Sequence, residues 1–142
     1  MNFRLIIPAV IGFLISRLCN NFSNADKNLN IVPPGYIFGI VWPILYAIIG
    51  YAWTNEYQNK YVDYIFILNT FFSGLWLYLF NCKNKKKLAL YIILLIVATS
   101  IMMIQVSNKL INKILLSLYL TWLLFAMIMN SFIVNKIEIN KN

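Results

Sequence analysis

Read for hydrophobic and polar positions, the chain alternates long apolar runs with short polar breaks. Five runs approach the ~20 mostly apolar residues that a membrane helix needs. They extend from Phe3 to Phe22, Tyr36 to Thr54, Tyr61 to Phe80, Leu88 to Val106 and Ile111 to Val134. The breaks have loop chemistry: Ser23 to Gly35 is rich in Asn and closes on Pro33, Pro34 and Gly35, and Asn81 to Lys87 reads NCKNKKK. The pattern predicts an all-α fold, an integral membrane bundle of five transmembrane helices forming a single domain over residues 1–142. The first run is too long for the core of a secretory signal, contains Arg17 and lacks a small-residue cleavage site, so it is read as a true span. Its Ala9, Gly12 and Ser16 share one face at helical spacing, which favours close helix packing.

Composition supports a bilayer as the solvent. The apolar share is 61%, the charged share 11% and the mean hydropathy +0.73, against roughly 45–50% apolar and about 25% charged in soluble domains. The net charge of +8 needs no nucleic-acid partner, because the bases fall between apolar runs and not along one polar face. They sort by side instead. Arg17, Lys27, Lys83, Lys85, Lys86, Lys87, Lys136 and Lys141 share one side, and Arg4, Lys60, Lys109 and Lys113 the other. By the positive-inside rule the first side is cytosolic, with the N-terminus outside and the C-terminus inside.

Several chemistries drop out. There is no His, which removes imidazole catalysis and His-ligated metals. Asp26, Glu56, Asp63 and Glu138 lie outside or at the edge of apolar runs, so no buried acid pair is expected for glycoside chemistry or a proton relay. Cys19 and Cys82 have no CxxC partner and read as small apolar residues near helix ends. No metal or cofactor is expected.

The aromatic residues say more. Phe38, Trp42, Tyr46, Ile49 and Trp53 are spaced to form one stripe on the second helix, suited to packing against neighbours or lining a cavity. Pro33 and Pro34 suit the start of that helix, and Pro43 inside it removes a backbone hydrogen bond, predicting a kink or local opening. On the fifth helix Tyr119, Trp122, Ala126, Asn130 and Ile133 share a face, with the small Ala126 leaving space for a flat ring. Asn130 and Asn69 are amides deep in apolar runs, suited to joining helices or to fixing a ligand among π-faces.

The segments PPGYIFGIVWPILYAIIGYAW (Pro33 to Trp53), Asn69 with Ser73, QVS at Gln105 to Ser107 and YLTWLLFAMIMN from Tyr119 resemble the translocator protein family, also called tryptophan-rich sensory proteins or peripheral benzodiazepine receptors. The resemblance covers nearly the whole chain in order. It departs from the family pattern at Tyr36, Phe72, Gly74, Leu88 and Leu118, and Ser131 and Phe132 stand where the sterol motif of animal members has tyrosines. What the resemblance implies is a five-helix bundle, often dimeric, with a pocket for porphyrins and haem-type tetrapyrroles, sterols or other lipids, and isoquinoline or benzodiazepine drugs. Carried over by position, the ligand-binding residues would be Trp42, Tyr46, Asn69, Trp122, Ala126 and Asn130, with Pro34 and Gly35 shaping a lid loop. Binding for transport or sensing is the first reading. The alternatives are an enzyme that degrades porphyrin in the light through Trp42 and Trp122, and a purely structural membrane interaction protein. An ion channel is disfavoured, since no intramembrane charge marks a path.

Overall fold

The computed structural model describes residues 3–18, 30–56 and 59–141. Among them the chain forms five helices: α1 Phe3–Leu18, α2 Gly35–Asn55, α3 Lys60–Leu77, α4 Lys86–Val106 and α5 Leu110–Ile139. A π-helical turn, Tyr78–Cys82, extends α3, and Asn84 at φ 51° then reverses the chain into α4; Asn is one of the few residues that tolerates this left-handed conformation.

The connections after α2, α3 and α4 are short, so successive helices run antiparallel. Contacts link α1 to α2, α2 to α5, α5 to α4, α4 to α3 and α3 back to α1, which closes a ring in the order α1–α2–α5–α4–α3. One end of this ring, called here the basic end, collects Lys83, Lys85, Lys86, Lys87, Lys136 and Lys141. The other end carries Lys60, Lys109 and Lys113.

Four helices, α2 to α5, are long and apolar enough to cross a bilayer, and α1 is a shorter apolar helix. Its sixteen residues rise about 24 Å, less than the ~30 Å hydrocarbon thickness; residues 19–22 of the first expected span lie outside the described residues. The outer surface is apolar on stripes such as Tyr61, Tyr64, Leu68 and Phe71 of α3 or Leu88, Tyr91, Leu95 and Met102 of α4. Exposed tyrosines form two belts: Tyr36, Tyr78 and Tyr91 at the basic end, and Tyr51, Tyr61 and Tyr64 at the other. Rings at both levels are what two membrane–water interfaces favour.

Glycines set the closest approaches. A Cβ at Gly50 would lie 2.8 Å from the Leu5 carbonyl oxygen and one at Gly74 2.9 Å from Ile11, and one at Gly12 would run into the Tyr46 ring. So α1 lies backbone-close to α2 and is seated on α3 through a position without a side chain. Of the small face expected on α1, Gly12 makes this contact and Ala9 is exposed, while the Ser16 side chain lies outside the described residues.

Pro43 does not break α2, which is continuous across it. Residue i−4, whose carbonyl a proline ring crowds, is Gly39, with open space where a side chain would stand. The fifth helix extends past Val134 to Ile139: the apolar pattern ends with the hydrocarbon, whereas the helix continues because Ile137 packs on the core and Glu138 pairs with Lys87 at 3.0 Å. Cys82, read as a small apolar residue, is disulfide-bonded; Cys19 lies outside the described residues.

The end opposite the basic end is fastened by two carboxylates. Asp63 accepts from Arg4 Nη2 at 2.8 Å and from Trp53 Nε1 at 2.7 Å, joining α1, α2 and α3. Glu56, just beyond α2, accepts from Asn112 Nδ2 at 2.6 Å and from the Asn108 N–H at 3.1 Å, joining α2 to the start of α5. Burial by itself would raise the Glu56 pKa, but hydrogen bonds from Asn112, Asn108, Ser107 and Lys109 outweigh it and hold the carboxyl below its ordinary value.

Candidate functional site in the bundle interior

The α2 stripe turns inward as a unit. Phe38, Trp42, Tyr46, Ile49 and Trp53 are all buried, because only a face repeating every three to four residues can meet the ring of neighbours along its length. The α5 stripe faces the interior likewise, with Tyr119, Ala126, Asn130 and Ile133 buried and Trp122 partly so.

The rings connect across helices. Trp42 lies 5.8 Å from Tyr46 and 5.3 Å from Trp76 of α3, centroid to centroid, and Trp76 stacks on Phe80 at 4.8 Å. From α5, Trp122 meets Phe38 edge-on at 6.1 Å and Phe125 at 5.2 Å. Since Phe38 precedes Trp42 by one turn, the Trp122 contact lies one turn nearer the basic end, where Ala126 follows on α5. At the end of the line the Lys86 Nζ lies 3.5 Å from the centroid of the Phe80 ring and donates to the Phe80 carbonyl at 2.9 Å, supplying a partner to a carbonyl that the π turn leaves exposed.

The polar atoms divide into two kinds. Asn69 is satisfied on both sides: its Nδ2 donates to Thr99 Oγ1 at 2.9 Å, Ser100 Oγ at 3.0 Å and the Ile96 carbonyl at 3.2 Å. Its Oδ1 accepts from Tyr119 at 3.0 Å, whose hydroxyl also meets Ser73 Oγ at 2.9 Å. Asn130, with its amide oriented to satisfy both atoms, donates to the Lys86 carbonyl and accepts from the Leu90 N–H, each at 3.0 Å, so it clasps the first turn of α4. By contrast, Trp42 Nε1, Trp122 Nε1, Tyr46 Oη and Thr70 Oγ1 are buried without a hydrogen-bond partner. Buried polar groups are normally satisfied; three of these atoms sit on the aromatic stripes, and Asn112 Oδ1 at the opposite end is a further one away from them.

The sequence-level candidates thus fall into three groups. Trp42, Tyr46, Trp122 and Ala126 belong to one aromatic interior. Asn69 and Asn130 have their amides engaged with protein across helix boundaries. Pro34 is exposed at the N-cap of α2 and accepts from the Ile37 N–H at 2.9 Å, while Gly35 is the first helical residue; residues 19–29 lie outside the described residues. Ser131 bonds back to the Ile128 carbonyl at 2.7 Å and Phe132 is exposed, so neither offers the polar group of a tyrosine there. Trp76 was not singled out from sequence, though a signal existed: Asn69, Ser73 and Trp76 are spaced four and three apart on one face of α3.

An all-helical ring of long apolar helices around an aromatic, tryptophan-lined interior defines a small membrane-helix protein of the tryptophan-rich type. The chain belongs to the TspO/MBR family, whose family model matches residues 4–135. It is similar to the tryptophan-rich protein TspO of Archaeoglobus fulgidus, 32% identical over 104 residues that cover 69% of this chain and 68% of that protein. Family membership and the apolar helices together point to an integral membrane protein.

Proposed function

We propose that the interior binds a flat hydrophobic ligand, a tetrapyrrole such as protoporphyrin or haem, for transport or sensing. The observation that carries this reading is the set of buried, unpartnered Trp42 Nε1, Trp122 Nε1 and Tyr46 Oη. A ligand that stacks on the indoles and brings oxygen or nitrogen acceptors to their edges supplies what these atoms lack. Ala126 contributes a side chain small enough to leave ring space between Trp122 and Asn130. Asn69 and Asn130 act indirectly in this reading, by holding α3, α4 and α5 in register around the site. Sterols and other lipids are weaker candidates, because they present few acceptors and Ser131 and Phe132 depart from the sterol pattern. Titrating purified protein with protoporphyrin while following Trp fluorescence tests the proposal: saturable quenching supports it, and quenching unchanged in W42F/W122F counts against it.

The 5.3 Å approach of Trp42 and Trp76 favours one second reading, light-dependent porphyrin degradation, because an indole that has given an electron to an excited porphyrin could be refilled from its neighbour. Illumination of the complex separates the readings. A new porphyrin product that W76F abolishes supports degradation, and intact porphyrin after prolonged light supports binding alone.

For orientation, the proposal places the basic end in the cytosol, on the lysine excess there. The Cys82 disulfide pulls the other way, since disulfides persist in oxidising compartments. The lysine excess decides, because six lysines act during insertion whereas a disulfide forms only after it. Self-association as a dimer belongs to the same proposal, and light scattering in detergent reads it.

A further inference from the structure

The basic end carries a second feature that the tetrapyrrole reading does not use. Between the N-terminus of α4 and the C-terminal turns of α5 lies a cavity of about 590 Å³, open to the outside of the bundle. Its lining combines the cationic Lys85, Lys87 and Lys141 with an apolar part formed by Leu88, Tyr91, Val134 and Ile137.

We infer that this cavity is a binding site for an anionic glycerophospholipid, its phosphate held by Lys85 and Lys141 and its acyl chains lying along the apolar part. Among the described residues the cationic charge is neutralised only in part. Glu138, the acid in the lining, is paired with Lys87 at 3.0 Å, and among the described residues no carboxylate pairs with Lys85 or Lys141. The local helix adds to the excess. The first turn of α4 holds no acidic residue and Lys85 gives it no side-chain cap, so lysines stand at the positive end of a helix, an arrangement that an anion relieves. The apolar part of the lining chooses the source of that anion. Leu88 and Tyr91 are exposed and begin the outer stripe of α4 that leads through Leu95 toward the bilayer centre, a track for a chain and not for a free ion.

Protein in neutral detergent, titrated with short-chain phosphatidylglycerol, phosphatidylcholine or glycerol phosphate and read by native mass spectrometry, tests the site. Each lysine near an anionic headgroup contributes a factor of about five. Phosphatidylglycerol should therefore be retained over phosphatidylcholine, and K85Q/K141Q should lose roughly 10- to 30-fold of that preference. E138Q should strengthen retention, and K113Q at the opposite end should leave it unchanged. Equal retention of the two lipids overturns the proposal, as does retention equal in wild type and K85Q/K141Q. Displacement by glycerol phosphate at the lipid's own concentration would reassign the cavity to a free anion. If the double variant melts early, E138Q still decides, since it adds no cavity and its effect must be of opposite sign.

Discussion

Asn69 and Trp42 illustrate two fates of a polar atom inside an apolar bundle. Both were visible in the sequence as unusual residues within long runs, but their partners were not, because Thr99, Ser100 and Tyr119 come from helices that only the tertiary fold brings beside Asn69. The Asn69 network is complete, so removing its centre takes one hydrogen bond from each of three hydroxyl groups, which keep only their bonds to Ser73 and to α4 carbonyls. Asn69→Leu should destabilise the bundle by about 1–3 kcal/mol, read as a lower melting temperature in detergent. An unchanged melting temperature would mean that the network contributes nothing net. The indole N–H groups of Trp42 and Trp122 lack partners already, so Trp42→Phe should cost little stability, within about 1 kcal/mol, and register in ligand affinity instead. Glu56 stands at the edge of an apolar run and Arg4 near the start of one, yet both are buried. Burial of an edge residue depends on which neighbour folds over it, and periodicity carries no such information.

At the level of elements, the interior faces of α2 and α5 were legible because a stripe at helical spacing has only one way to be buried. The fit of α1 against its neighbours was half legible. Small residues pointed to close packing, but Gly50 and Gly74, which receive α1, lie on the partner helices, where nothing local distinguishes them from Gly39. The structure does distinguish them, and substitution should follow. Gly50→Ala puts a methyl against the Leu5 backbone and should destabilise by about 1–3 kcal/mol. Gly39→Ala meets nothing within 4 Å and should be neutral or stabilising by up to ~1 kcal/mol from helix propensity. Equal melting shifts for the two would refute the close α1–α2 contact. The Glu56 clasp between α2 and α5 predicts a pH dependence. Its folded pKa is depressed, so the unfolded chain binds the proton more readily. The stabilisation is fully present above the unfolded value of about 4.3 and is lost as pH falls through the folded value beneath it. Melting temperature should be level above about pH 5.5 and drop more steeply in acid for wild type than for E56Q; parallel curves would exclude Glu56 as a source of acid sensitivity.

For the molecule as a whole, hydropathy and composition sufficed to indicate a helical membrane bundle, since a chain so poor in charge has few other ways to remain folded. The ring order was not legible, because short loops fix antiparallel neighbours but leave open which helices close the circle. Two levels of exposed tyrosine on the finished ring agree with the lysine asymmetry about where the interfaces lie. A fluorescent protein fused after Asn142 should mature in the cytosol of a bacterial host, and alkaline phosphatase fused there should stay inactive; the reverse pattern would invert the orientation. The central claim, that the tryptophan-lined interior is a ligand site, is tested most directly by equilibrium titration of protoporphyrin into the reconstituted protein beside W42F/W122F of matched melting temperature. The expected result is saturable binding that weakens at least about 5-fold in the double variant, from the loss of two indole donors at about 0.5–1.5 kcal/mol each. Equal affinity in the two proteins, or no saturation in either, would contradict it.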